Sequence, residues 1–318
     1  MRSGLLVISH GSPDGSWVTL VDEAMAQAAW PEGAPIASSF LDCVPGRTIQ
    51  DGIDELEAQG VDAIGVIPLF ISGGSTHVDE IAYALGVTSA PLAGTKLAPF
   101  RLRAQVRYGR PLDGAALFAA PSGGDAPGDA GPAGEPEAGT VLLRMVEDRL
   151  RGLGAGPGDA ALLVAHGSRH EPFAGRWHAS LRRLARQLVQ RGACAAASHA
   201  LLCCEDIAEA ARKLQQALAV LPADAGPGLL AGDRTLAARA ALAEAAARAG
   251  ISRRERRVAV VPVFLSTGYF TARVIPERLG DVPALYDGRA LLPHPALVEW
   301  LSLEGERLLA GMKAEDGR

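Results

Sequence analysis

The sequence predicts an α/β protein made of two similar parallel-sheet, Rossmann-type domains that arose by internal duplication. Three observations carry this reading. Short apolar runs rich in Val, Ile and Leu alternate with amphipathic helical segments, the pattern of a parallel sheet with helical crossovers. One phrase is written twice, GLLVISHGS at 4–12 and ALLVAHGS at 161–168. A second pair follows in the same order, IGVIPLFIS at 64–72 and VAVVPVFLS at 258–266, each running into glycine.

Each element of the first copy has a local reason. Leu5–Ile8 is a buried strand, and His10-Gly11-Ser12 is the turn after it. Trp17, Leu20, Val21, Ala24 and Met25 recur at helical spacing, so a helix spans about 16–29, closed by Pro31. Residues 35–41 read as a strand ending at Asp42. Thr48 is a candidate N-cap for a helix over 49–59, and Gly60 sits where a helix ends. The unbroken apolar run 63–71 suits a strand buried on both faces. A loop at 72–76 and a helix over 78–85 follow. Residues 121–139 are Pro, Gly, Ala and acid with no apolar period, which predicts a flexible linker.

The expected organisation is therefore an N-terminal domain at 1–120, the linker at 121–139, and a C-terminal domain at 140–318. The helix at 141–153, although it follows the linker, is expected to pack on the first domain. In the second copy a strand is expected at 161–165, a helix at 176–190 and a last helix at about 295–312. His10 and His166 are 156 positions apart, whereas Pro68 and Pro262 are 194 apart. The second copy thus carries extra residues, assigned to 222–233 and an alanine-rich helix at 235–249.

Composition excludes several classes. A net charge of −5 argues against a general nucleic-acid binder, and 5% aromatic residues leave little for base stacking. Leu5–Ile8 is too short for the apolar core of a signal peptide, and no run reaches the ~18 apolar residues of a membrane span. A cytoplasmic protein without membrane or nucleic-acid partners is expected. The cysteines are Cys43, Cys194, Cys203 and Cys204, with no CxxC. Adjacent Cys203 and Cys204 are poorly placed to grip one tetrahedral ion, so ordinary thiols of a reducing compartment are expected rather than a zinc or iron–sulfur site.

Ligands of open α/β sheets bind outside the carboxyl ends of the strands. His10, Asp42 and His77 all fall at that edge in the first copy. Two neutral imidazoles and a carboxylate suit Fe²⁺, Co²⁺, Ni²⁺ or Zn²⁺, and an imidazole is also a general base near neutral pH. The runs HGS and GGST add hydroxyls and amides that could receive carboxylates or phosphates. The chain has no Walker A pattern, no GxGxxG after a strand and no GxSxG elbow. His170, His178, His199 and His294 are read as structural.

The combination LLVISHGS, SFLD, VIPLFISGGSTHVDEI, LLVAHGSR and VVPVFLSTGY resembles the sirohydrochlorin chelatase family, in its long fused form. The resemblance implies two α/β domains facing one another, with a tetrapyrrole in the cleft. It implies insertion of a divalent metal, Co²⁺ or Fe²⁺, into sirohydrochlorin on the way to cobalamin or sirohaem. The metal is a substrate, and no organic cofactor is expected. The family's two metal-site histidines match His10 and His77, and its acidic residue after the SFL strand matches Asp42.

The second copy departs from that pattern. His166 is kept, but the position of His77 falls on Phe270 or Thr271, depending on a one-residue gap. The position of Asp42 falls nearest Cys203 or Glu205. Metal chemistry is therefore expected in the first copy. Substrate binding is assigned to Ser12, Ser75, Thr76, His166, Ser168, Arg169, Tyr269 and Phe270. Arg47, Arg101, Arg103 and Arg273 are further candidates for the substrate's carboxylates. The fused pair is expected to be a monomer. Rival readings are a nickel chelatase, a non-catalytic tetrapyrrole- or metal-binding relative of a chelatase, and an unrelated phosphate-binding α/β enzyme.

Overall fold

The computed structural model describes residues 1–115, 139–220 and 256–316. The linker expected at 121–139, save its last residue, and the extra residues expected at 222–250 lie outside these. The first sheet has the order β2-β1-β3-β4, all parallel, from β1 (Ser3–Ser9), β2 (Ile36–Phe40), β3 (Ala63–Leu69) and β4 (Gln105–Tyr108). The second sheet has the order β6-β5-β7, also parallel, from β5 (Ala160–Ala165), β6 (Ala196–Leu201) and β7 (Val258–Pro262). Shared strand order and register make the duplication visible: Ile8 pairs with Pro68 as Val164 pairs with Pro262.

A proline inside each central run is tolerated for one reason. Val66 accepts from the Gly109 N–H, and Val260 donates to the Leu285 carbonyl. Residues two apart face the same side of a strand. Pro68 and Pro262 thus turn their missing N–H toward the outer neighbour, beyond its paired stretch.

In the first unit α1 (Gly15–Gln27) starts at Asp14, whose carboxylate accepts from Ser16 N. Helix α2 (Ile49–Ala58) opens on a capping box between Thr48 and Asp51. Helix α3 (Thr76–Ala84) begins two residues earlier than the sequence suggests. Leu6, Ile8, Ile64 and Val66 cluster with Ile49, Ile53 and Leu56 of α2 and Val78 and Ile81 of α3 on one face of the sheet. In the second unit Leu162, Val164, Val258 and Val260 cluster with α6 (Ile207–Val220) and α7 (Ile275–Leu279). A π-helical turn, Phe270–Val274, leads into α7.

The chain does not divide at a single point. One compact unit comprises 1–141, 170–176 and 292–318; the other comprises 142–169 and 177–291. Helix α4 (Thr140–Gly152) thus belongs mainly to the second unit, tied there by Arg149–Asp287 (2.5 Å) and Arg191–Glu147 (2.6 Å). The last helix, α8 (Pro295–Asp316), expected with the second domain, packs instead on β1, β3 and α1. The reason is coverage. Strands β1 and β3 are buried on both faces, and α2 and α3 cover only one. Gly65 lets Leu308 and Met312 approach the other face, and buried Glu304 accepts from Arg110 N at 3.0 Å. Helix α5 (Phe173–Gln190) completes the described helices.

Candidate metal centre

His10 follows the last residue of β1, and Asp42 lies just past the end of β2. The chain can bring them together because residue 11 is glycine. A Cβ there would sit 1.5 Å from the Asp42 carbonyl oxygen and 2.7 Å from its Oδ1. His10 Nδ1 lies 2.7 Å from the Gly11 carbonyl and 3.5 Å from Asp42 Oδ1. A carbonyl only accepts, so Nδ1 carries the proton and Nε2 presents its lone pair. The Trp17 indole donates to the His10 carbonyl at 2.6 Å and fixes the turn from the α1 side.

His77 was expected in a loop; it lies in the first turn of α3. Its ring meets the His10 ring edge-on, with centroids 4.9 Å apart, and Phe70 lies behind it at 6.4 Å. Glu80, one turn along α3, puts Oε2 3.9 Å from His77 Nδ1. Burial is the main cause that lifts the Glu80 carboxyl above its ordinary range, with Asp79 adding to it, against hydrogen bonds from Thr95 and Thr76. Sequence reasoning missed Glu80. The signal was present as His77-Val78-Asp79-Glu80, because residues three apart share a helix face, but only once His77 is placed on the helix. Asp113 pins the loop before α3 by accepting from Gly73 N.

So the structure brings His10, Asp42, His77 and Glu80 together at the carboxyl edge of the first sheet. Among the described residues no group of three or more His, Cys, Asp or Glu side chains is disposed to hold a metal ion. Thr76 is the first residue of α3, about one turn before Glu80. Ser75 starts α3 without a side-chain capping bond, whereas Ser12 accepts from Asp14 N at 3.1 Å.

The corresponding turn of the second unit keeps the hydrogen-bond register, with its glycine in the left-handed region and different side chains around it. His166 Nδ1 lies 3.1 Å from the Gly167 carbonyl, which sets the same tautomer as in His10. Leu202 N donates to the Ala165 carbonyl as Leu41 N donates to Ser9. That register places Cys203, not Glu205, where the first unit has Asp42. Gly167 is again obligatory, with φ +80° and a hypothetical Cβ 2.9 Å from Cys203 Sγ. Phe270 packs edge-on against His166 at 5.1 Å, as His77 does against His10. Phe270 therefore takes the place of His77. Thr271 is buried, its hydroxyl 3.0 Å from the Gly268 N–H.

Phe270 is 37% exposed and Tyr269 65% exposed, a projecting aromatic pair backed by Phe264. Arg169 donates to the Cys203 carbonyl at 2.7 Å. An open pocket of about 450 Å³ lies in this second unit, lined by Arg169, Cys203, Cys204, Asp206 and Arg278 among others. Four other arginines considered from sequence are engaged elsewhere. Arg47 grips Asp22 with two nitrogens, and Arg101, Arg103 and Arg273 pair with Asp54, Glu57 and Glu277. His178 and His199 hydrogen-bond each other at 3.0 Å, and His294 accepts from Ala296 N, as structural histidines do. No described helix is long and apolar enough to cross a membrane.

The family model described as CbiX matches residues 4–120 and 235–304, more than half of the chain. No curated protein sequence matches it. Among solved structures the chain is similar to SirB from Bacillus subtilis with Fe³⁺, at 15% identity and a TM-score of 0.61, over 99% of this chain and 98% of that one. It is also similar to the sirohydrochlorin chelatase SirB from Bacillus subtilis subspecies spizizenii in complex with cobalt, at 14% identity and a TM-score of 0.57, over 97% and 95%. A third similar structure is CbiX, described as the terminal enzyme for biosynthesis of siroheme in denitrifying bacteria, at 16% identity and a TM-score of 0.52, over 96% and 98%.

Proposed function

This chain belongs to the CbiX family, and on that premise we propose that it inserts a divalent metal ion into sirohydrochlorin, with Co²⁺ ahead of Fe²⁺. The observation that carries the reading is the His10–His77 pair, two imidazoles with centroids 4.9 Å apart at the carboxyl edge of the first sheet. His10 offers Nε2 to the ion, and His77 is the second ligand. Resident metals are held by closed sets of about four donors. A chelatase must give its ion away, so two imidazoles in a half-exposed turn suit a transient hold.

Insertion also releases two pyrrole protons. One imidazole accepts one proton once the metal has passed to the macrocycle nitrogens, and the other proton leaves to water at the half-exposed turn. Asp42, beside His10, and Glu80, beside His77, orient the rings and receive charge. Recognition of the macrocycle is assigned to hydroxyls of Ser12, Ser75 and Thr76 and, in the second unit, to His166, Ser168, Arg169, Tyr269 and Phe270. Exposed aromatic faces suit the apolar ring, and a guanidinium suits its carboxylates.

The test is turnover of sirohydrochlorin with Co²⁺, Fe²⁺ and Ni²⁺ offered separately, followed by the tetrapyrrole absorbance. Time-dependent insertion above the rate without protein, fastest with Co²⁺, is expected. Binding of the macrocycle with no insertion of any of the three would contradict the proposal.

A further inference from the structure

The vicinal thiols of the second unit are left unused by this chemistry. Adjacent cysteines in sequence argue against a tetrahedral grip, yet the turn after β6 aims both the same way. Cys203 Sγ and Cys204 Sγ are 3.2 Å apart. Two sulfurs about 2.3 Å from one ion would lie ~3.8 Å apart if its geometry were tetrahedral. At the observed separation they subtend roughly 90° at such a bond length, the angle of a three-coordinate pyramidal ion.

Burial and the neighbouring Cys204 push the Cys203 thiol up to about 11, with Arg169 pulling the other way, so the pair is held as thiols, the form a trivalent arsenic oxide consumes. Arg169 Nε donates to the Cys203 carbonyl at 2.7 Å, Arg278 donates to the Leu202 carbonyl, and both arginines line the pocket that the two cysteines line. Of the nearby acids, Glu205 accepts from Leu201 N at 2.6 Å and Asp206 accepts from Glu209 N at 3.0 Å. Cys203 and Cys204 both line the open pocket of about 450 Å³, which gives a ligand access. Cys203 also stands in the register of Asp42, so the second turn presents soft sulfur where the first presents hard oxygen.

We propose that Cys203 and Cys204 form a chelating site for a thiophilic ion of pyramidal coordination, of which trivalent arsenic is the type. The bonding balances without redox chemistry. A trivalent arsenic oxide RAsO takes two thiols, forms two As–S bonds and releases one water, and arsenic stays trivalent.

The probe is phenylarsine oxide, added to the full chain kept reduced with a phosphine. One equivalent is expected to bind, and Cys203→Ser or Cys204→Ser should each reduce binding at least tenfold, while Cys43→Ser should not. A second reading needs no variant. After loading, the wild-type chain is alkylated and digested, and mass spectrometry should find Cys203 and Cys204 protected and Cys43 modified. Alkylation of Cys203 and Cys204 at the rate of the unloaded chain, or full binding in either serine variant, would overturn the proposal.

Discussion

The turns after β1 and β5 share a hydrogen-bond register and differ in the glycine's backbone, left-handed only at Gly167, and in what surrounds the histidine. Both carry His-Gly-Ser, both hydrogen-bond the ring Nδ1 to the glycine carbonyl, and both need a glycine so that the neighbouring turn can approach. His10 then meets Asp42 and His77, whereas His166 meets Cys203 and Phe270. Backbone register was kept because any Cβ in that glycine position collides. Chemistry diverged because the partners come from the turn after β2 or β6 and from the helical start that follows β3 or β7, which can change without touching the strand.

The largest way to break this comparison is to make the first turn resemble the second. His77→Phe removes one of the two imidazoles. We expect it to slow Co²⁺ insertion by at least about 100-fold, since even outer partners of a metal ligand cost about 10–100-fold. Insertion at the wild-type rate would remove His77 from the mechanism. Glu80→Gln should have a smaller effect, about 10-fold on the same assay. Because Glu80 acts through His77, the loss should be accompanied by a changed pH profile of the rate.

The glycines sharpen the comparison at the level of stability. Gly11→Ala forces a Cβ to within 1.5 Å of the Asp42 carbonyl and must move that turn. It should destabilise the first unit by about 3 kcal/mol or more. Gly167→Ala meets only side-chain atoms, the nearest at 2.7 Å, but at φ +80°. A cost of about 1–2 kcal/mol follows from the left-handed backbone alone. Chemical denaturation of the two variants should rank them in that order.

The smallest effect is a pH dependence belonging to the second unit. Burial is the main cause that pushes the His199 imidazole down to about 4 from its ordinary value of 6.5, with His178 beside it. Between those values the unfolded chain binds the proton and the folded chain does not, so stability falls as pH drops through this window. Thermal unfolding from pH about 7 to about 4 should show the decline, and His199→Gln should flatten it.

Much of the fold was legible because parallel strands buried on both faces leave unbroken apolar runs, as in β1, β3, β5 and β7. Strand β4 was not, since Gln105–Tyr108 is four residues at the sheet edge with a mostly polar, half-exposed face. The exchange of α8 was not legible either. An amphipathic helix encodes that it needs an apolar face, not which of two similar sheets supplies one. At the candidate site, His10, Asp42 and His77 could be named from their strand-end positions. Glu80 was hidden by the boundary of α3. Phe270 and Thr271 could not be separated by spacing, because the segment from the strand proline to the ring facing the turn histidine is one residue shorter after β7 than after β3.

The central claim is that the first unit performs the chemistry and the second recognises the substrate. It is tested most directly by steady-state Co²⁺ insertion into sirohydrochlorin with His10→Ala and His166→Ala side by side. The account predicts that His10→Ala loses kcat, by about 100-fold or more, while His166→Ala keeps kcat within a few-fold and raises KM. Equal loss of kcat in both variants, or a loss confined to His166→Ala, would contradict it.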